Sequence, residues 1–273
     1  MADGDVAVSV CVLVAVVLLC EATRALLRRS ARSAVHAEEF VSTLQLCCCA
    51  HELRLLAEGG RAEPRLSLAL TYLACTAHGL TFGGALGNAC SVLERACGKR
   101  LACACALRRI ACQLAAACAA RALLPRVWAL GLSDLHVRHE RLGFQCVSQI
   151  RAPLAHAAAV EFAGAFCVQS AISRTHALEE KYRVHAIAAV TTALVYAGGG
   201  VSGSVFNPSL SVSTQLLCSG NSVLDYSLVY WAGPLLGTLA SVLAFGTVVP
   251  TLWPTSDPAP HPPHPPPETK KRN

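Results

Sequence analysis

Charge is scarce in this sequence: Asp, Glu, Lys and Arg make up 15% of its 273 residues, aromatics make up 5%, and methionine occurs once. So few charges cannot cover a water-facing surface of ordinary size, which excludes an ordinary soluble globular protein. There is no pair of C-x-x-C motifs, and His51-Glu52 is not followed by a second His one turn on. Zinc-ribbon and zincin patterns are therefore missing, and neither a metal nor a cofactor is expected. No N-x-S/T sequon marks an exposed lumenal loop. The formal net charge is +6, but Arg and Lys lie between apolar runs instead of forming a stripe interleaved with aromatics, which sets nucleic acid aside as a partner.

Apolar length is abundant. Hydrophobic residues reach 53% and mean hydropathy is +0.46. No Asp, Glu, Lys or Arg occurs between Arg65 and Glu94, between Arg183 and Asp225, or between Asp225 and Asp257. Each stretch exceeds the about 20 residues that cross a bilayer as helix. The spans expected are Val6 to Cys20, then about residues 37–56, 66–84, 102–130, 154–174, 184–200 and 226–249. Most of the 15 cysteines, among them Cys47, Cys48, Cys49, Cys103, Cys105, Cys112 and Cys118, lie inside these runs. They read as small reduced hydrophobes, not as a disulfide scaffold.

Val6 to Cys20 follows an acidic start and precedes Arg24, Arg28, Arg29 and Arg32, the reverse of a cleaved signal, so it reads as a retained anchor. By the positive-inside rule these arginines face the cytosol, and six further spans return the C-terminus there, although Arg138, Arg141 and Arg151 in another connection weaken the bias. Three regions follow: an anchor and basic linker over 1–36, a bundle over 37–250, and a Pro-rich cytosolic tail over 251–273.

The bundle contains a repeat. Glu39-Phe40 and Glu161-Phe162 each open an apolar span, and acids inside such spans usually face the bundle interior and mark a pathway. Glu39 stands 49 residues before Asn88, and Glu161 stands 46 before Asn207. Both asparagines follow Gly-rich stretches, in Asn88-Ala89-Cys90 and Asn207-Pro208-Ser209. Asn is a strong N-cap and Pro208 suits the first helical position, so each motif starts a half-helix. An odd number of spans per half inverts the second copy, so the half-helices enter from opposite faces and meet N-terminus to N-terminus near the midplane.

These motifs resemble the paired Asn-Pro-Ala boxes of the aquaporin family. Gln113 and Trp231-Ala232-Gly233-Pro234-Leu235-Leu236-Gly237 extend the resemblance, which covers about residues 39–250. The stretches Gln45 to Leu53, His78 to Thr81 and Val195 to Gly199 are similar to the family's divergent intracellular subgroup, as is Cys218, nine residues past Ser209. The resemblance implies an all-α membrane bundle of six spans plus two re-entrant half-helices, with an extra N-terminal segment here. It further implies water-contacting amides on Asn88 and Asn207, and loop support by Glu39, Glu161 and Gln113. The filter positions fall at Val195 and at Leu210, where most members place an Arg. An uncharged constriction relaxes the rejection of larger solutes and, with it, one electrostatic barrier to cations, so water, glycerol and hydrogen peroxide are the expected permeants.

Asn88 and Asn207 are expected to cap with the side-chain oxygen and to leave the amide free. Cys218 is expected to be a packed thiol, the sharper reading being assembly or redox gating. Gly233 and Gly237 are expected to permit close helix packing. Ala89 lacks the box proline, and Glu94-Arg95 places an ion pair on a half-helix that is apolar in the family. Both favour the alternative of a non-conducting structural protein. A membrane thiol enzyme is a third class, but no nucleophile with a base or cofactor motif supports it, so no enzyme is expected. Lys270-Lys271 resembles a dilysine retrieval signal read by coat machinery, which places the chain in the endoplasmic reticulum membrane. Homotetramers are what the family implies.

Overall fold

The computed structural model describes residues 2–30, 35–60 and 62–248. Arg32, the tail over 251–273 and its Lys270-Lys271 lie outside the described residues. Helices dominate and no strand occurs among the described residues, only an isolated bridge between Val147 and Ser219.

The helices are α1 (Ala2–Ser30), α2 (Val35–Glu58), α3 (Pro64–Thr81), α4 (Ala89–Cys97), α5 (Cys103–Trp128), α6 (Asp134–Arg141), α7 (Leu154–Arg174), α8 (Glu180–Ser202) and α9 (Pro208–Thr214). The last, α10 (Val223–Val248), contains π-helical turns at Leu228–Ala232 and Ala244–Val248. Helices α1, α5, α7, α8 and α10 are long and apolar enough to cross a membrane. The sequence α2-α3-α4-α5 repeats as α7-α8-α9-α10, which is the expected inverted-repeat bundle of six spans and two half-helices.

Local chemistry sets the boundaries. Pro64 and Pro208 each stand in a first helical turn, where a missing N–H costs nothing. Ser222 and Asp225 form a reciprocal capping box at the start of α10. Gly203 closes α8 with φ 82°, a left-handed conformation that glycine adopts without a Cβ clash.

Pairing follows the repeat. Helix α2 packs on α5 as α7 packs on α10, and α3 meets α8 across the pseudo-two-fold axis. The half-helices reach across the repeat: α4 packs on α10 as well as on α5 of its own half, and α9 packs on α5 and α2. Gly233 and Gly237 let α10 lie against the α7 backbone, since a Cβ at either would strike the carbonyl of Ala158 or Phe162. They therefore permit close packing, as the spacing of small residues predicts.

Two features differ from the sequence reading. The N-terminal helix does not stop at Cys20 but runs through the arginines to Ser30. Arg24 is fully buried and donates to Gln45 Oε1 (2.7 Å) and Ser42 Oγ (3.3 Å) of α2, so a residue that looks like a flanking charge is an interhelical contact. Hydropathy marks only the apolar part of a helix whose polar part finds partners inside. The second is α6, a short helix in the connection between the expected spans at 102–130 and 154–174. Ser133 caps it, Leu135 and His136 are buried, and His136 Nε2 meets Glu52 Oε1 at 3.1 Å. Glu52 also accepts from Ser9 Oγ of α1 (2.6 Å) and Trp128 Nε1 of α5 (2.9 Å), so one buried carboxyl joins four helices.

Candidate functional site

The two boxes meet at the centre of the bundle. Asn88 caps α4, its Oδ1 accepting from Cys90 N at 2.8 Å. Asn207 caps α9, its Oδ1 accepting from Ser209 N (2.9 Å) and Leu210 N (3.2 Å). Both half-helices thus begin where the sequence places them. Helix α4 does so with Ala89 in its first turn in place of a proline, because the Asn88 cap satisfies an N–H that would otherwise be orphaned.

The amides are not wholly free. Asn207 Nδ2 donates to Gly87 O at 2.8 Å, and Asn88 Nδ2 donates to Phe206 O at 3.4 Å. Each asparagine therefore grips the carbonyl that precedes the other. A primary amide has two N–H groups, so one on each side chain is not used in this contact. The sequence reading of a wholly free amide is corrected by this contact between segments more than a hundred residues apart.

Behind each half-helix loop sits a fully buried carboxyl. Glu39 accepts from Leu86 N (3.0 Å) and Gly87 N (2.8 Å), and Glu161 from Val205 N (3.0 Å) and Phe206 N (2.6 Å). These are the same two positions relative to the following Asn. The repeat is therefore a repeat of hydrogen bonds, not only of residue types. The surroundings differ. Glu39 also accepts from Arg109 Nη1 and Gln113 Nε2, both at 2.7 Å, whereas Glu161 accepts from Ser202 Oγ at 2.7 Å. Gln113 continues to Ser209 Oγ (2.7 Å), so it ties the first loop to the second half-helix.

Arg109, Ser202 and Tyr230, whose hydroxyl donates to Ser202 O at 2.7 Å, were missed by sequence reasoning. Arg109 had a usable signal: it precedes Gln113 by one helical turn and so shares its face. Cys90 and Ser209 are both fully buried.

A cavity of about 1090 Å³ runs past these groups. Asn88, Asn207, Val195 and Leu210 line it, with Arg54, Glu58 and Gln149 toward the end of α9 and Glu94, Arg95 and Arg183 toward the end of α4. The two expected filter positions thus share one wall-bounded space. Glu94 does not pair with its neighbour Arg95. It pairs with Arg100 and accepts from Ser173 Oγ at 3.1 Å, because adjacent helical residues point in different directions. No group of three or more potential metal ligands clusters among the described residues.

Cys218 is not a free packed thiol. It forms a disulfide with Cys146, 72 residues away, between the α6–α7 connection and the segment after α9. Denatured, unreduced protein is expected to expose thirteen thiols to maleimide and fifteen after reduction. Cys146→Ser is expected to lower stability by about 2–4 kcal/mol, the usual worth of such a cross-link, read as earlier thermal unfolding in detergent.

No protein-family model matches the chain. It is 36% identical over 253 residues to aquaporin-11 of Equus caballus, covering 91% of this chain and 92% of the relative. It is likewise 36% identical over 251 residues to aquaporin-11 of Homo sapiens, with the same coverage. Against aquaporin-12 of Mus musculus identity is 32% over 254 residues, covering 90% of this chain and 87% of the relative. Among solved structures, the aquaglyceroporin from Plasmodium falciparum shares the fold with a TM-score of 0.64 at 13% identity, over 81% of this chain and 98% of that one.

Proposed function

Since this chain belongs to the aquaporin family, we propose that its membrane channel passes water and small neutral solutes, glycerol and hydrogen peroxide among them. The observation that carries the reading is the pair of capping asparagines, each keeping one N–H at a cavity whose filter positions are the uncharged Val195 and Leu210. Half-helix N-termini and amide donors aimed at one point favour a solute oxygen and disfavour a cation. Apolar filter side chains leave room for solutes larger than water. In this role Asn88 and Asn207 contact the permeant, while Glu39, Glu161 and Gln113 hold the loops.

The same reading places residues 1–36 as an anchor, 37–250 as the channel and 251–273 as a cytosolic tail. Its Lys270-Lys271 end would bind coat machinery and hold the protein in the endoplasmic reticulum membrane, as a homotetramer in the lipid bilayer. The Cys146–Cys218 disulfide supports a lumenal location for that end of the bundle, because disulfides persist in oxidising compartments. A second reading, a non-conducting structural protein, is favoured by the polar cluster of Glu94, Arg100 and Ser173 at the α4 end.

Stopped-flow light scattering on proteoliposomes decides between them. An osmotic step followed by a glycerol step should give faster shrinkage and faster solute entry than in empty liposomes. Rates equal to empty liposomes, with folded inserted protein, would favour the structural reading.

A further inference from the structure

At the α9 end of the cavity, the half-helix side chain Leu210 offers no charge, yet an arginine from a different helix stands there. Arg54 of α2 lines the cavity, and its side chain is only 13% exposed. Its Nη1 donates to Thr214 O at 2.6 Å and its Nη2 to Val147 O at 2.7 Å, while Nε donates to Glu58 Oε1 at 2.8 Å. Thr214 is the last residue of α9, where helix carbonyls lack an intrahelical partner. Val147 lies between Cys146 of the disulfide and Ser148, whose N–H donates to Ser219 O at 2.8 Å, so the segment that carries its carbonyl is fixed on both sides.

The contacts close into a ring. Gln149 Nε2 donates to Glu58 Oε1 (3.2 Å), and Gln215 Nε2, one residue past Thr214, donates to Gln149 Oε1 (2.7 Å). Four side chains from α2, the α6–α7 connection and the segment after α9 are thus linked at this end of the cavity, where Arg54, Glu58 and Gln149 line it and Gln215 is fully buried behind them. Glu58 meets Arg54 on the stem side, at Nε, and leaves one end of the guanidinium fork at α9 and the other at the α6–α7 connection. A guanidinium has five N–H groups. Three are engaged, and one N–H on each Nη remains for a solute oxygen. The charge is permanent and the fork is planar, so the group donates in a fixed direction. Arg151 lines the same cavity, so Arg54 and Arg151 against the one carboxylate of Glu58 leave this end with a net positive charge.

We propose that Arg54 is a specificity-determining residue of the channel: it supplies from α2 the fixed cation and hydrogen-bond donors that Leu210 does not. The proposal rests on the channel reading and corrects one consequence of the sequence, that an uncharged filter position lowers the barrier to cations. The barrier is built from another element. Neutral solutes with acceptor oxygens are accommodated by the two remaining N–H groups, whereas protons and metal cations are repelled.

The test uses full-length protein in proteoliposomes, with osmotic shrinkage, glycerol entry and proton flux under a potassium diffusion potential measured together. Wild type is expected to accelerate water but to leave proton flux at the empty-liposome level. Arg54→Gln is expected to raise the ratio of proton flux to water flux at least about tenfold, the order expected for loss of one fixed charge at pore-width distance and an effective dielectric near 20. Arg54→Lys keeps the charge but cannot span both carbonyls. It is expected to hold proton flux low while changing the glycerol-to-water ratio at least about threefold.

Conducting wild type with Arg54→Gln at the wild-type ratio of proton flux to water flux would overturn the proposal and leave the channel reading intact. Should the Gln variant fail to fold, an Arg54→Lys protein with an unchanged glycerol-to-water ratio would overturn it equally. Wild type no faster than empty liposomes would overturn the channel reading and this proposal with it.

Discussion

Glu39→Ala is expected to destabilise the protein by about 3–5 kcal/mol, the usual cost of stripping one partner from a buried charge pair. The substitution leaves the buried guanidinium of Arg109, two backbone N–H groups and the Gln113 amide without their common acceptor. The measurement is the thermal midpoint in detergent followed by tryptophan fluorescence, where such a loss amounts to roughly 6–20 °C for a chain of this size. Glu161→Ala is the matched comparison. Its partners are one hydroxyl and two N–H groups, all neutral, so its loss should be smaller by the difference between a stranded cation and stranded amides. Equal losses for the two variants would refute the assignment of Arg109 as the charged support of the first loop.

Asn207→Asp should bring osmotic water flux to the level of empty liposomes while leaving the fold in place. Asp caps a helix as well as Asn does, so the bonds from Ser209 N and Leu210 N survive. The Nδ2 donor to Gly87 O is lost, and two oxygens then face each other where a 2.8 Å hydrogen bond had been. The same change removes the N–H left for the permeant and sets a negative charge at the centre of the cavity. Asn207→Ala, which loses the cap as well, should cost about 1 kcal/mol of stability in addition. Asn207→Asp protein that folds and conducts at the wild-type rate would remove this side chain from the mechanism.

Arg109 and Cys146 illustrate two different reasons for illegibility. Arg109 stands four residues before Gln113 on one helix face, so its proximity to Glu39 was implicit in the α5 pattern once Gln113 had been placed. Nothing local marks Cys146 as the partner of Cys218. Fifteen cysteines permit many pairings, and only the approach of the α6–α7 connection to the end of α9 selects this one. Arg54 belongs with the second kind, because its partners Val147 and Thr214 lie 93 and 160 residues away. Arg24 adds a third case. Its charge argued for a flank, but burial against Ser42 and Gln45 keeps it inside the packed bundle.

What the residues alone determined are the features with short-range causes. Apolar runs long enough to cross a bilayer, the caps at Asn88 and Asn207, and the recurrence of Glu and Asn at nearly equal spacing each depend on neighbours a few positions away or on a repeat within the chain. They suffice for the inverted bundle with two half-helices. Which donor meets which acceptor was decided only by the tertiary structure: the crossed grip of the two asparagines, the unequal surroundings of Glu39 and Glu161, and the ring that Arg54 closes at the α9 mouth. Hydrogen bonds between distant segments depend on distances and directions fixed only when the helices pack, and sequence spacing carries no record of them.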